Sequence, residues 1–370
     1  MSSKAKAILK RYPLCPSCLR RQVSTKIKPP LQQGECFICG GFFERIDDVA
    51  KSVAATLSEY EFESFSVGLS APSEWVERED LIRSEFKLRG KRNVKSEASH
   101  RLASTLVEIL KKPLNRFKPD VVAVVDVASG TVKVDARSLY LLGRYTKSRR
   151  DLPQKQPRCR VCGGRGCPEC EYTGKAKGFS VEYLISQYLL KIFQGTKTTF
   201  SWFGSEDERS LVLGSGRPFY AEVHNPKKRH LLPLTLPANL GYGVKLTQLT
   251  ILDDKPEKVP SFKVKVLARV LFQSKPDKKV VKNLPPLIEV HQASLRKRKT
   301  YLKKIYSPTI RLVKNRGYIR FVCDGGLSIR RFLTGVGEPV TPNLPSLLGV
   351  NVEVDEEKPF DILDVIVEGF

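Results

Sequence analysis

Eight of the nine cysteines in this chain fall into four C-x-x-C pairs, and only Cys323 stands alone. No other feature constrains the fold as much. Two thiols three positions apart share one tight turn, and two such turns brought together present four sulfurs to one ion. The first set, Cys15, Cys18, Cys36 and Cys39, reads C-x2-C-x17-C-x2-C. The stretch between its pairs is polar and Pro-rich with little core of its own, so closing that loop on a metal would supply folding free energy. The second set, Cys159, Cys162, Cys167 and Cys170, reads CRVCGGRGCPEC, with three glycines that let the chain turn between pairs. Structural zinc is expected in both. The inner loop of the second set is short, and whether its pairs share one ion stays open at this point. Neither set leaves an evident open ligand position, so both read as structural rather than catalytic. Paired thiols in a long chain point to metal rather than disulfides, and to the cytoplasm.

Charge narrows the partners. Lys and Arg number 64 against 39 Asp and Glu, giving a net charge of +25 spread along the whole chain. Such a field attracts polyanions, and nucleic acid fits it better than an anionic membrane surface. No apolar run approaches the roughly 18 residues of a spanning helix. The basic N-terminus lacks the apolar segment and cleavage site of a secretion signal. At 41% hydrophobic over 370 residues, the chain can bury two or three cores.

Periodicity divides the chain into three parts: 1–43, 44–177 and 178–370. The first holds the leading cysteine set. In the second, 44–63 has helical spacing, FESFSVGL reads as a strand, RLASTLVEILKK as a helix, and 120–142 as two strands around a Ser-Gly turn. GRYTKSRRDLPQKQPR follows as a basic loop suited to a phosphate track, and the second cysteine set comes next. In the third part, FSVEYLISQYLLKIFQG reads as a helix stopped by Gly195. Many short strands follow, interrupted by one helix near LSIRRFLTG. That pattern predicts an α+β domain with a mixed, mostly antiparallel sheet.

The segment FGSEDERSLVLGSGRPFYAEVHNPKKR, residues 203–229, carries the chemistry. Glu206, Asp207 and Glu208 precede an expected turn, Gly214-Ser215-Gly216-Arg217-Pro218, then a strand and a basic cluster. Spacing alone describes a solvated charge run before a hairpin. The segment also resembles the stretch G-R-E-D-x-D-x-R-x-L-G-x-G-R-P-F of the archaeal and eukaryotic family that makes pseudouridine at positions 54 and 55 of the tRNA T-loop. Gly204, Glu206, Asp207, Leu213, Gly214, Gly216, Arg217, Pro218 and Phe219 match it without gaps. FKLRGKRNVKSE at 86–97, GRY-x-K-x-x-R-x-x-P-Q at 143–154, SVEYLI at 180–185 and GLSIRRFLTG…TPNLPSLLG at 326–349 resemble further family segments in the same order. The second cysteine set is also similar to the C-x-x-C-x-G-x-G repeats of zinc-binding chaperone modules.

This resemblance implies an isomerase: a tRNA pseudouridine synthase that flips a uridine out and works on it with one carboxylate. No redox step occurs, so no organic cofactor is implied. Asp207 falls on the family's catalytic aspartate, and Arg330 on the basic residue that pairs with it. Arg217, Lys227, Lys228 and Arg229 become candidate phosphate contacts, as does the run Arg296 to Lys299. Residues 44–177 would be a THUMP-containing RNA-binding domain and 178–370 the catalytic domain, with tRNA as partner and no obligatory protein partner. The chain also departs from the family. Ser205 stands for an arginine, and Arg209-Ser210-Leu211 for D-x-R. Leu267 stands where a tyrosine stacks on the target base, and Ser328 replaces another tyrosine; Tyr318 and Tyr242 are candidate substitute rings. The alternative is a tRNA-binding or chaperone protein of the same fold. A methyltransferase or sulfurtransferase would need a Gly-rich cofactor loop or P-loop, and 178–370 has neither.

Overall fold

Apolar stripes build both halves of the computed structural model, which describes residues 3–26, 28–29, 35–89, 92–230, 235–295 and 297–368. The chain forms two compact units: Met1–Ser138 with His224–His230, and Leu139–Val223 with Leu231–Phe370.

In the first unit, α1 (Ser3–Arg11) precedes the leading cysteine pair, and α2 (Pro16–Gln22) starts directly after Cys15 and carries Cys18. Helix α3 (Ile46–Leu57) buries Ile46, Ala50, Val53 and Leu57, one stripe at helical spacing. Strand β1 (Phe65–Ser70), helix α4 (Glu74–Glu85), helix α5 (Val94–Leu110), and strands β2 (Val121–Asp126) and β3 (Val132–Ala136) complete it. The Asn93 side chain caps α5 by accepting the Ser96 N–H at 2.8 Å. β1 and β2 are parallel, and β2 and β3 antiparallel. The cysteine module is not a separate body: Ile38 and Phe42 share one core with Val53, Leu102 and Val121.

Helix α4 went unread in the sequence because its residues lack an apolar stripe. It is fastened by a buried carboxylate instead. Glu79, fully buried, pairs with Arg21 and Arg83 and accepts hydrogen bonds from Gln22 Nε2 and the Val94 N–H, each at 2.8 Å.

The second unit is one large sheet with helices. Its elements are β4 (Leu139–Lys147), α6 (Val181–Phe193), β5 (Lys197–Trp202), β6 (Val212–His224), β7 (Ala238–Gly241), β8 (Val244–Leu252), β9 (Phe262–Phe272), α7 (Lys278–Lys282), β10 (Leu287–Ser294), β11 (Lys299–Val313), β12 (Arg316–Asp324), α8 (Ile329–Thr334), β13 (Val340–Thr341), α9 (Leu344–Leu348), β14 (Val352–Val354) and β15 (Phe360–Val367). The order is β13-β10-β11-β12-β9-β15-β6-β4-β8-β7, with β14 beside β9 and β5 beside β6. All pairings described are antiparallel except that of β15 with β6. The α+β expectation therefore holds.

Two sequence expectations differ from this arrangement. A break was expected at 177/178, but the compact units part at 138/139, because β4 pairs on both sides within the large sheet, with β6 and β8. The second cysteine set therefore belongs to the second unit. The expected turn at 214–218 is instead a bulge inside β6, where the register with β4 skips between Tyr145/Arg217 and Lys147/Val212. Gly214 and Gly216 have φ of 60° and 87°, and a side chain on either would collide with the carbonyls of Leu363 and Tyr145. No helix among the described residues is long and apolar enough to cross a membrane.

Candidate active site

The acidic triplet sits on the loop from β5 to β6, and that loop is clamped from beneath. Glu206 turns inward, with its side chain fully buried. Lys147 Nζ lies 3.3 Å from its Oε1, and Arg217 Nε lies 3.1 Å from its Oε2. Tyr145 Oη donates to the same Oε2 at 2.8 Å. Lys147, also fully buried, donates to the carbonyls of Leu152 at 2.9 Å, Glu208 at 3.1 Å and Asp207 at 3.4 Å. Arg217 donates to the Phe203 carbonyl at 2.5 Å. One buried carboxylate thus holds two cations that pin both ends of the loop. Burial pushes the Lys147 pKa down against the pull of Glu206. Burial and Glu206 together push the Tyr145 hydroxyl well above its ordinary range.

The clamp leaves Asp207 facing outward. Its Oδ1 accepts the Arg209 N–H at 3.0 Å, and its Oδ2 accepts Arg330 Nη2 at 3.0 Å. Arg330 comes from the first turn of α8, 123 positions later in the chain. Its Nη1 also donates to both oxygens of Glu356, at 2.9 and 3.1 Å. Burial works against the Arg330 cation, but Glu356 and Asp207 outweigh it and hold its pKa above the ordinary arginine value. Asp207 is 19% exposed and Arg330 39%, so the pair is partly desolvated yet open to a ligand. A half-buried carboxylate fixed in orientation by a planar guanidinium can serve as nucleophile or base.

Ser205, Ser328 and Arg331 line a cavity of about 250 Å³, with one edge of Arg217 and the buried Cys323. Burial pushes the Cys323 thiol up to about 12. Ser328 precedes α8, and its N–H donates to Gln292 Oε1 at 2.7 Å. Leu267 lies on β9 in a separate groove of about 530 Å³ that it shares with Arg311, Tyr318 and Arg320. Asp361, opposite Leu267 on β15, accepts hydrogen bonds from Arg150, Arg269 and the Leu211 N–H, which hold its pKa down against burial.

The basic candidates fare differently. Arg217 is 1% exposed with its guanidinium committed to Glu206 and Phe203, so it is a buried clamp rather than a phosphate contact. Lys227, Lys228 and Arg229 belong to the first unit and pair with Glu59, Glu61 and Asp120. Arg296 lies outside the described residues. The sequence reading did not assign roles to Lys147, Glu206, Glu356 or Asp361. Lys147 stood within the recognised GRY-x-K stretch, but nothing in spacing marks a buried cation.

Both cysteine sets can hold a metal: in each, the four sulfurs lie within 4.8 Å of one another. Cys15 and Cys39 are 3.8 Å apart, Cys159 and Cys167 3.9 Å, Cys162 and Cys170 3.8 Å. A tetrahedral ion at about 2.3 Å from each sulfur requires edges of about 3.8 Å, whereas a disulfide requires about 2.05 Å. In the second set Gly166 and Gly174 donate backbone N–H groups to Cys162 and Cys170 sulfurs, at 3.2 and 3.3 Å, which suits thiolates. A single ion therefore fits the short inner loop.

Comparison with known proteins matches residues 140–240 to the family description "Pus10, C-terminal" and residues 49–126 to "Pus10 THUMP domain, archaeal". A "tRNA pseudouridine synthase Pus10" of Nitrosopumilus maritimus is 32% identical, covering 98% of this chain and 97% of that protein. One from Cenarchaeum symbiosum is 32% identical over 90% of this chain and 82% of its own. One from Archaeoglobus fulgidus is 29% identical over 90% and 94% respectively.

Proposed function

This chain belongs to the tRNA pseudouridine synthase Pus10 family, and from that membership we propose that it isomerises uridine 54, uridine 55 or both in the tRNA T-loop. The observation that carries the site assignment is the 3.0 Å ion pair between Asp207 and Arg330, assembled from two separate elements. Binding to phosphates supplies most of the affinity, and the target uridine is flipped out at a cost of a few kcal/mol. Asp207 then acts on sugar or base. The N1–C1′ bond breaks, the base turns, C5 bonds to C1′, and the C5 proton is lost while N1 gains one. Atoms balance without an oxidant or organic cofactor. Arg330 keeps Asp207 aimed, and Glu356 holds Arg330 from the other side.

Ser328 and Ser205 offer the extruded base hydroxyls in the cavity that Arg331 lines, and Leu267 offers a neighbouring nucleotide an apolar contact in its separate groove. Lys227 and Lys228, 38% and 45% exposed, remain the phosphate contacts of the basic cluster. Each four-cysteine set holds one structural zinc. The enzyme works in the cytoplasm on its tRNA.

The test is an unmodified tRNA transcript incubated with the protein and mapped chemically for pseudouridine. Wild type should modify position 54 or 55, and Asp207→Ala should not. Equal modification by both would remove Asp207 from catalysis. Salt-sensitive tRNA binding by wild type without any modification would leave the chaperone reading.

A further inference from the structure

Three aromatic rings meet on the surface of the second unit, apart from the Asp207 pair. Phe179, Tyr183 and Tyr242 are 44%, 39% and 40% exposed. Phe179 stacks on Tyr242 with centroids 3.9 Å apart, and Tyr183 meets Phe179 edge-on at 5.7 Å. The Arg149 guanidinium lies 5.6 Å from the centroid of the Tyr242 ring. Phe179 and Tyr183 also wall a cleft of about 750 Å³, within the range of ligand clefts. Gln187, Lys197 and Thr198 line it too, and the second cysteine knuckle closes one side through Thr173.

Tyr242 occupies a costly position. It and Gly243 form the two-residue turn between β7 and β8, with φ of 49° and 72°. Turns of this kind favour Asn-Gly, and a bulky ring in the left-handed region is strained. Local stability therefore does not explain the tyrosine, whereas a role for its ring would. The loop that carries Arg149 also reaches Asp207's loop: Arg150 donates to the Arg209 carbonyl, and Leu152 N–H to the Glu208 carbonyl.

We propose that Phe179, Tyr183 and Tyr242 form a stacking platform for an unpaired nucleotide of the RNA substrate, neighbouring the one presented to Asp207. The base stacks on the Phe179–Tyr183 wall of the cleft, Gln187 and Thr198 meet its edge, and Arg149 and Lys197 meet the phosphates. Every base has a π-face, and rings set among cations are how proteins grip single-stranded nucleic acid. The cations favour this polyanion over an apolar protein partner. The proposal rests on the reading of tRNA as substrate.

The test uses the full chain and an unmodified tRNA transcript. Tyr242→Asn installs the residue the turn prefers but removes the ring that backs Phe179, so it should leave the melting temperature close to wild type while weakening tRNA binding by about three- to tenfold. Phe179→Leu should weaken it similarly, Tyr242→Phe should restore wild-type affinity, and the loss in kcat/KM should be carried by KM. Unchanged affinity in Tyr242→Asn and Phe179→Leu would overturn the proposal. So would sedimentation showing that the patch joins two copies of the chain, with Tyr242→Asn breaking the dimer and leaving tRNA affinity intact. If wild type makes no pseudouridine yet Tyr242→Asn still loses tRNA affinity, the platform stands and the isomerase reading falls.

Discussion

Replacing Glu206 by Gln keeps the shape of the loop clamp and removes its charge. Lys147 at 3.3 Å and Arg217 at 3.1 Å then face each other around a neutral amide, both essentially without solvent. Removing one partner of a buried ion group costs about 3–5 kcal/mol, chiefly because the remaining charge is stranded. A unit of this size loses about 2–4 °C of melting temperature per kcal/mol, so a fall of roughly 6–20 °C is expected by scanning calorimetry. A pH signature should accompany it. Burial holds the Lys147 pKa below its ordinary value while Glu206 pulls it up. Between the folded and unfolded pKa the unfolded chain binds more protons, so stability rises with pH across that window. Without Glu206 the folded pKa drops further and the window widens downward. The alkaline gain in stability should therefore be larger in Glu206→Gln than in wild type. A melting change under about 2 °C, or a pH profile no steeper than wild type, would refute the claim that this carboxylate anchors two buried cations.

Three further outcomes are expected. Asp207→Asn should lower kcat by more than about a thousandfold, as loss of a nucleophile or base does, while tRNA affinity measured by filter binding stays within about threefold. Arg330→Gln should lower kcat about 10- to 100-fold, the worth of one charged hydrogen bond. Arg330→Lys should recover only part of this, because an ammonium cannot bridge Asp207 and Glu356 with a planar fork. Elemental analysis should find two zinc ions per chain, and Cys162→Ser should lose one of them and the protease resistance of residues 155–178.

Local patterning made much of this legible. The spacing of Cys15, Cys18, Cys36 and Cys39 announced a four-sulfur site, and the helical run FSVEYLISQYLLKIFQG announced α6. The pairing of Asp207 with Arg330 came from resemblance, since no periodicity links residues that far apart. Long-range electrostatics stayed hidden. Glu79 fastens a helix whose sequence shows no apolar stripe, and Glu206 looked like one more solvated acid until the fold buried it. β11 escaped notice because Pro308 falls where its pairing with β12 slips between Tyr306 and Thr309. The Gly214–Gly216 stretch read as a turn because left-handed glycines serve bulges and turns alike. Arg217 looked like a surface cation because composition carries no information about which arginines face inward.

Residues 224–230 give this chain an awkward anatomy for dissection. The polypeptide leaves the first unit after Ser138, returns at His224, and departs again after His230. A gene cut at codon 138 would express Glu59 and Glu61 without the Lys227 and Lys228 that pair with them, Asp120 with Arg137 but without Arg229, and Ala136 without Asn225, whose Oδ1 accepts its N–H at 2.7 Å. An N-terminal fragment intended for isolated study should therefore carry the heptapeptide grafted back through a short Gly-Ser tether.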